Sequence, residues 1–381
     1  MKEQRVLPAS IARQKTHGGV ATRIVVMLVV GAAIASLIYF SPRLFSRPAQ
    51  LVSDRPKLKT GGTSVIFVVT ENRWKAKYAK EKNVDLICES AGTTAGVKGM
   101  LDKTYTIAFT HAPVSPDLRE KAQKNGCEVL HVPLFLCGVV PAYHINELKG
   151  KTPLNFTGKI LADIFLGKIK QWDDPALKEV NPGVALPSTK ITVVHREDSS
   201  GTTQLFAEYL SAVSPAWKEQ VGPAAAEVKW PVGIAATRNQ GIAAKINEID
   251  GAIGYIDRLY TSFQDIKLDF GAVQNKDKAF VRAEPANLTA AASAILAEIP
   301  QDLTFDLIDK PGKESYPISG VIYAVCSDKQ SEKTRTQIVD FLHWATHEKG
   351  QADVAEAGFA PLPPALADRV DDRLKTITTA L

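Results

Sequence analysis

From about residue 63 onward the chain alternates short aliphatic, β-branched runs with longer amphipathic segments, and this alternation restricts its fold more than any other feature. Strands are predicted at Val84–Cys88, Gly138–Tyr143, Ile191–Val194, Ala252–Ile256 and Val321–Cys326. Helices are predicted at Arg73–Lys82, Ala95–Asp102, Pro116–Lys124, Lys159–Leu166, Thr203–Ser211, Ile242–Glu248, Leu288–Glu298 and Lys333–His347. A strand followed by a helix and another strand is the pattern of α/β lobes on largely parallel sheets. The length, 381 residues, suits two lobes of ordinary size. No fixed-period repeat is present, which argues against a solenoid. Pro133 and Pro317 each precede an apolar strand and mark two places where the chain would cross between lobes.

Two segments carry chemistry. Ser90-Ala91-Gly92-Thr93-Thr94-Ala95-Gly96-Val97-Lys98 follows the strand VDLIC and opens a helix. Small residues let backbone approach a ligand closely, and a helix N-terminus gathers unpaired N–H donors suited to an anion. An ordinary N-cap at the threonines is the competing explanation. The second segment, His195-Arg196-Glu197-Asp198-Ser199-Ser200-Gly201-Thr202-Thr203, again joins a strand to a helix. Arg196 offers a forked cation for two oxyanion oxygens, and Asp198 is close enough to orient it. Its competing explanation is a solvated loop with a surface ion pair. Two such loops in one chain favour an anion cradle. The absence of Gly-Lys-Ser/Thr excludes a nucleotide-hydrolysing P-loop.

The net charge of +5 suggests a polyanion partner, but its distribution does not. Lys2, Arg5, Arg13, Lys15, Arg23, Arg43 and Arg47 stand against Glu3 in the first fifty residues, so the remainder is near neutral and a nucleic-acid partner is not expected. The basic residues flank Ile24–Phe40, an uncharged apolar run of the minimum spanning length. An uncleaved signal anchor is favoured over a cleaved signal peptide, because the run continues past the small residues Ala33 and Ala35. Either places the body outside the cytoplasmic membrane. The expected order is a cytoplasmic basic N-terminus at 1–23, the anchor at 24–40, a linker at 41–62, one lobe from 63–140 with 325–381, and a second lobe from 141–324. Cys88, Cys127, Cys137 and Cys326 have no C-x-x-C spacing, so zinc and redox motifs are not expected and sequence alone pairs none of them.

The stretches AGTTAGVK, FTGKILADIFLGKIKQWDDPALKEVNPGVALPSTKITVVHREDSSGTTQLFAEYLS, VKWPVG, NQGIAAKI and GAIGYID resemble the extracytoplasmic phosphate-binding proteins of bacterial phosphate ABC transporters. The resemblance covers most of residues 73–350. It implies a two-lobed periplasmic solute-binding protein of type II, with a hinge of crossing strands, that closes on a dehydrated oxyanion. The expected ligand is inorganic phosphate, and the expected partners are ABC permease subunits, with the membrane reached through the N-terminal helix. By matching positions it implies Thr93, with Thr94 beside it, and Arg196, Ser200, Gly201 and Thr202 as contacts, and Asp198 as the support of Arg196. No cofactor, metal or catalytic residue is implied.

Two departures stand out. Where the family has a Gly-Ala-Thr-Phe-Pro-type loop, this chain has Gly61-Gly62-Thr63-Ser64, so Thr63 or Ser64 is the candidate hydroxyl. Where the family has an Asp before Ala-Pro, this chain has His111. A carboxylate repels an oxyanion that lacks a proton; histidine donates, accepts or carries charge, which removes that rejection. His111 is expected to line the site with altered proton preference. A sensor or non-transport paralogue with changed anion selectivity is the alternative function. His343 and His347 share a helix face, but no Glu or Cys ligand is evident beside them, so they read as a solvated or packed pair. An enzyme is not expected: Trp172-Asp173-Asp174 places its carboxylates on different faces, and Ser200 lacks a nucleophile elbow.

Overall fold

The computed structural model describes residues 54–379 apart from 152, 263 and 264. The leader and the apolar run Ile24–Phe40 lie outside the described residues, and among the described residues no helix is long and apolar enough to cross a membrane.

The first strand, β1 (Lys57–Gly62), lies where a linker was expected. Lys57 and Lys59 face solvent while Leu58 and Thr60 are buried, so the segment reads as polar although it is the middle strand of three. It leads through Thr63 into α1 (Ser64–Val69). Then follow β2 (Asp85–Glu89), α2 (Thr93–Leu101), β3 (Ile107–Thr110) and β4 (Val129–His144). The second half continues with β5 (Thr192–Arg196), α3 (Gly201–Val213), β6 (Ile234–Ala236), α4 (Arg238–Glu248) and β7 (Ala252–Asp257). β8 (Ile318–Ser327), α5 (Glu332–Thr346) and α6 (Pro364–Leu374) return the chain to the first half. Every predicted strand and helix has a counterpart; most ends shift by a few residues, but the strand predicted from Gly138 begins at Val129 and the helix predicted to Glu298 ends at Ser293.

Strand order along the main sheet is β2-β1-β3-β8-β4-β7-β5-β6. Its two ends are parallel, as predicted: β1 with β2 and β3, and β5 with β7 and β6. Its centre is antiparallel: β8 runs against β3 and β4, and β4, the strand that pairs with both halves, runs against β7. β4 is buried almost throughout, as expected of a strand covered on both faces. Up to Gly138 it pairs with β8, and from Val139 with β7. The expected lobe boundaries at 140/141 and 324/325 therefore fall inside strands. The switch occurs two residues before the first boundary, and all of β8 stays with the first half.

Parallel β-α units put strand C-termini and helix N-termini at the same edge of each half. That edge carries the loops after β1, β2 and β5.

Candidate functional site

A cavity of about 420 Å³ opens where these loops meet, at the small end of ordinary ligand clefts. Thr63 and Ser64 reach it from the start of α1, Ser90 to Ala95 and Lys98 from the loop and first turns of α2, and Arg196 with Asp198 to Thr202 from the loop into α3. Thr237 and Arg238, at the start of α4, complete the wall together with Glu227.

On the β2–α2 side, Gly92 holds the turn at φ 85°, a conformation that favours glycine, and α2 begins without a side-chain cap. The first-turn N–H groups are thus not taken by a capping residue, and the hydroxyls of Thr93 and Thr94 remain available. Gly96 packs α2 on the sheet: a Cβ there would lie 2.6 Å from the Gly62 Cα, so only glycine permits this approach.

On the β5–α3 side the polar groups are held by each other. Arg196 is 6% exposed. Its Nε donates to Asp198 Oδ1 at 2.7 Å, and Nη2 donates to Asp198 Oδ2. The Asp198 Oδ1 atom also accepts the Arg238 N–H at 3.0 Å. Desolvation pushes the Asp198 carboxyl up, but these donors outweigh it and hold the group below its usual range. The Arg196 Nη1 atom, also buried, has no partner. Tyr255 braces the arm from below: its Oη accepts the Arg196 N–H at 3.1 Å and shares a 2.8 Å hydrogen bond with Thr203 Oγ1. Ser200 caps α3, its Oγ accepting from the Thr203 N–H at 3.4 Å.

The arrangement offers a fixed guanidinium edge, hydroxyls and three helix N-termini of eight or more residues, all directed at one space. Such donors suit an oxyanion. No nucleophile–base pair is built there. His195 bonds the Arg196 carbonyl through Nδ1 and stacks on Trp230, and Ser200 is engaged as a cap. Asp174 caps a helix and Asp173 pairs with Lys178.

Thr63, Ser64, Thr93, Thr94, Arg196, Asp198, Ser200, Gly201 and Thr202 all line the cavity; His111 does not. Its ring lies under Gly201, where a Cβ would approach Nδ1 to 2.4 Å. It is 3% exposed and both ring nitrogens lack partners. Its neighbours are Cys137 and Asp257, with ligating atoms all within 4.8 Å of one another. Burial, then the Arg196 charge, pushes the His111 pKa down to about 3, while burial raises Asp257 to about 7. His111 is therefore neutral and belongs to the support of the cradle, because the bulk of an imidazole is accommodated behind the glycine. Lys98, Glu227, Thr237 and Arg238 were not singled out from sequence. Lys98 follows α2's first turn in a quoted motif, but the placement of Arg238 depends on a φ of +60° that no motif signals. The four cysteines are free, with Cys88, Cys137 and Cys326 buried.

A family model described as PBP superfamily domain matches residues 49–349. The phosphate-binding protein PstS of Xylella fastidiosa is 33% identical over 317 residues, covering 83% of this chain and 84% of the relative. The phosphate-binding protein PstS of Methanocaldococcus jannaschii is 34% identical over 329 residues, covering 81% and 82%. Among solved structures, a high-affinity periplasmic phosphate-binding protein (PfluDING) bound with phosphate superposes with a TM-score of 0.67 at 19% identity, over 83% of this chain and 93% of that one. The phosphate-binding protein of Stenotrophomonas maltophilia gives 0.61 at 18% identity, over 84% and 93%. These structural likenesses show the fold, a two-lobed α/β binding protein. Matches above 30% identity over more than four-fifths of both chains go further: the chain belongs to the PBP superfamily and, within it, to the family of PstS phosphate-binding proteins.

Proposed function

We propose that this protein captures inorganic phosphate in the cavity on the extracytoplasmic side and delivers it to an ABC importer. One observation carries the reading: Arg196, which lines the cavity, is held on two of its nitrogens by Asp198 and keeps Nη1 buried and unpartnered. A buried donor without a partner is destabilising unless a ligand satisfies it. Hydroxyls and helix N-termini from the facing arm then replace the anion's hydration as the halves close over it. Capture without turnover is the expected activity. Calorimetric titration of the wild-type chain with phosphate is expected to show tight binding, weakened by about two to three orders of magnitude in Arg196→Ala. Retained submicromolar binding in that variant overturns the assignment.

The leader supports a membrane anchor at residues 24–40. The full-length chain is expected to remain in a carbonate-washed membrane pellet, and a chain lacking residues 1–50 in the soluble fraction. The position of His111 outside the cavity favours a second reading, a sensor or non-transport paralogue with altered anion selectivity. Sulfate titrated at pH 6 and 8 distinguishes them: strong sulfate binding supports the second reading, and exclusion at both values supports phosphate capture.

A further inference from the structure

Away from the cavity, His343, His347 and Asp371 bring three ligating atoms within 4.8 Å of one another. The two histidines are one helical turn apart at the end of α5, with ring centroids 4.1 Å apart and planes tilted by 33°. The carboxylate absent from the sequence neighbourhood comes from α6. Asp371 Oδ1 lies 2.8 Å from His343 Nδ1, and Oδ2 lies 3.3 Å from His347 Nε2.

The tautomer of His347 gives this cluster its chemistry. Its Nδ1 lies 2.8 Å from the His343 carbonyl oxygen. A carbonyl only accepts, so Nδ1 carries the proton. In the neutral ring Nε2 is then a lone pair directed at a carboxylate oxygen, and two acceptors face each other. A cation between them removes that conflict. A ring fixed through one nitrogen by a backbone carbonyl, with the other nitrogen free, is the arrangement of metal-ligating histidine.

The spacing also fits. Bonds of about 2.0–2.1 Å at a tetrahedral centre place neighbouring donors roughly 3.3 Å apart, and Asp371 already stands at 2.8 and 3.3 Å from the two rings. Two imidazoles and a carboxylate, with no thiolate, suit zinc and similar divalent transition ions rather than calcium or magnesium. The side chains are 55%, 32% and 36% exposed, which leaves the fourth position open to water.

We propose that His343, His347 and Asp371 form a surface site for a divalent transition-metal ion of the zinc class, which staples the last turn of α5 to α6. Its residues are separate from those of the anion cavity. The test is titration of ZnCl2 into the chelator-stripped full chain, alongside phosphate titration of the same samples. The expected result is one saturable zinc ion per chain, a melting temperature that rises with zinc, and loss of both in the His343→Ala/His347→Ala double variant. Asp371→Asn is expected to weaken zinc at least tenfold, and phosphate affinity to stay unchanged in all variants. Absence of saturable binding in the wild type, or binding that survives in the double variant, overturns the proposal.

Discussion

The two arms of the cavity are built from the same strand–loop–helix unit and differ in how far their polar groups are already committed. In the Arg196 arm, Arg196, Ser200, Thr202 and Thr203 are all under 9% exposed, and Asp198, Tyr255 and the Ser200 cap hold the arm in place. In the Thr93 arm, Thr93 is half-buried, Thr94 is exposed and α2 starts uncapped. The first arm is preorganised, its reorganisation settled during folding; the second keeps its donors free for a ligand. On the proposed function, a protein that must both recognise and release an anion is served by this division, since preorganisation raises affinity while a less committed arm leaves room for release.

The largest expected effect comes from breaking the braced arm. Arg196→Lys keeps the charge but loses the fork, and one ammonium cannot reach Asp198 and the cavity together. Phosphate affinity by calorimetry is expected to fall about 100-fold. Thr93→Ala in the other arm removes one hydroxyl and is expected to weaken binding about tenfold or less. A loss in Thr93→Ala equal to that in Arg196→Lys breaks the comparison.

Next are the glycines that seat each helix. A Cβ at Gly96 meets Gly62 backbone, whereas one at Gly201 meets the His111 side chain. Gly201→Ala is expected to destabilise by about 1–3 kcal/mol in thermal unfolding, and His111→Ala combined with it is expected to recover much of that loss. Two destabilisations that simply add sink the claim that His111 buttresses the cradle.

A separate test is a pH slope. Asp257 ionises near the ordinary carboxylate value when unfolded but holds its proton to about 7 when folded. Its contribution to stability is thus present below about pH 4 and lost as pH rises towards 7. His111, pushed down to about 3, acts the other way, with stability falling as pH drops below about 6.5. Asp257→Asn is expected to remove the loss between about pH 4 and 7 and leave stability rising with pH from about 3 to 6.5, by denaturant melts at each pH. An unchanged profile refutes the buried-carboxyl assignment.

The elements with an apolar signature were legible in the sequence, and so were the two strand–loop–helix segments that line the cavity, because small and hydroxyl residues between a strand and a helix stand out locally. β1 was not, since Lys57 and Lys59 alternate with buried Leu58 and Thr60 and the two following glycines resemble a turn. The antiparallel centre was also hidden, because the partner of a strand is a long-range property that local composition does not encode. His111 had the correct neighbourhood and the wrong facing. Its family position gave the loop, but the direction of the ring depends on packing against Gly201. The carboxylate that completes the His343–His347 pair lay on a helix whose docking no spacing rule reveals.

The crossing strand has a further consequence for how the chain is made. β4 is synthesised early, yet its main partner β8 lies downstream of the entire second half. The pairings on the β7 side are complete once residue 270 emerges, so the inserted half is able to assemble before β8. Until β8 arrives, the Val129–Gly138 stretch stands as an unpaired apolar edge, and pairing at such separation is slow because loop closure must precede it. A chain that folds in this order is expected to expose its central strand until residue 318 and beyond have been made, which limited proteolysis of chains truncated before β8 would detect.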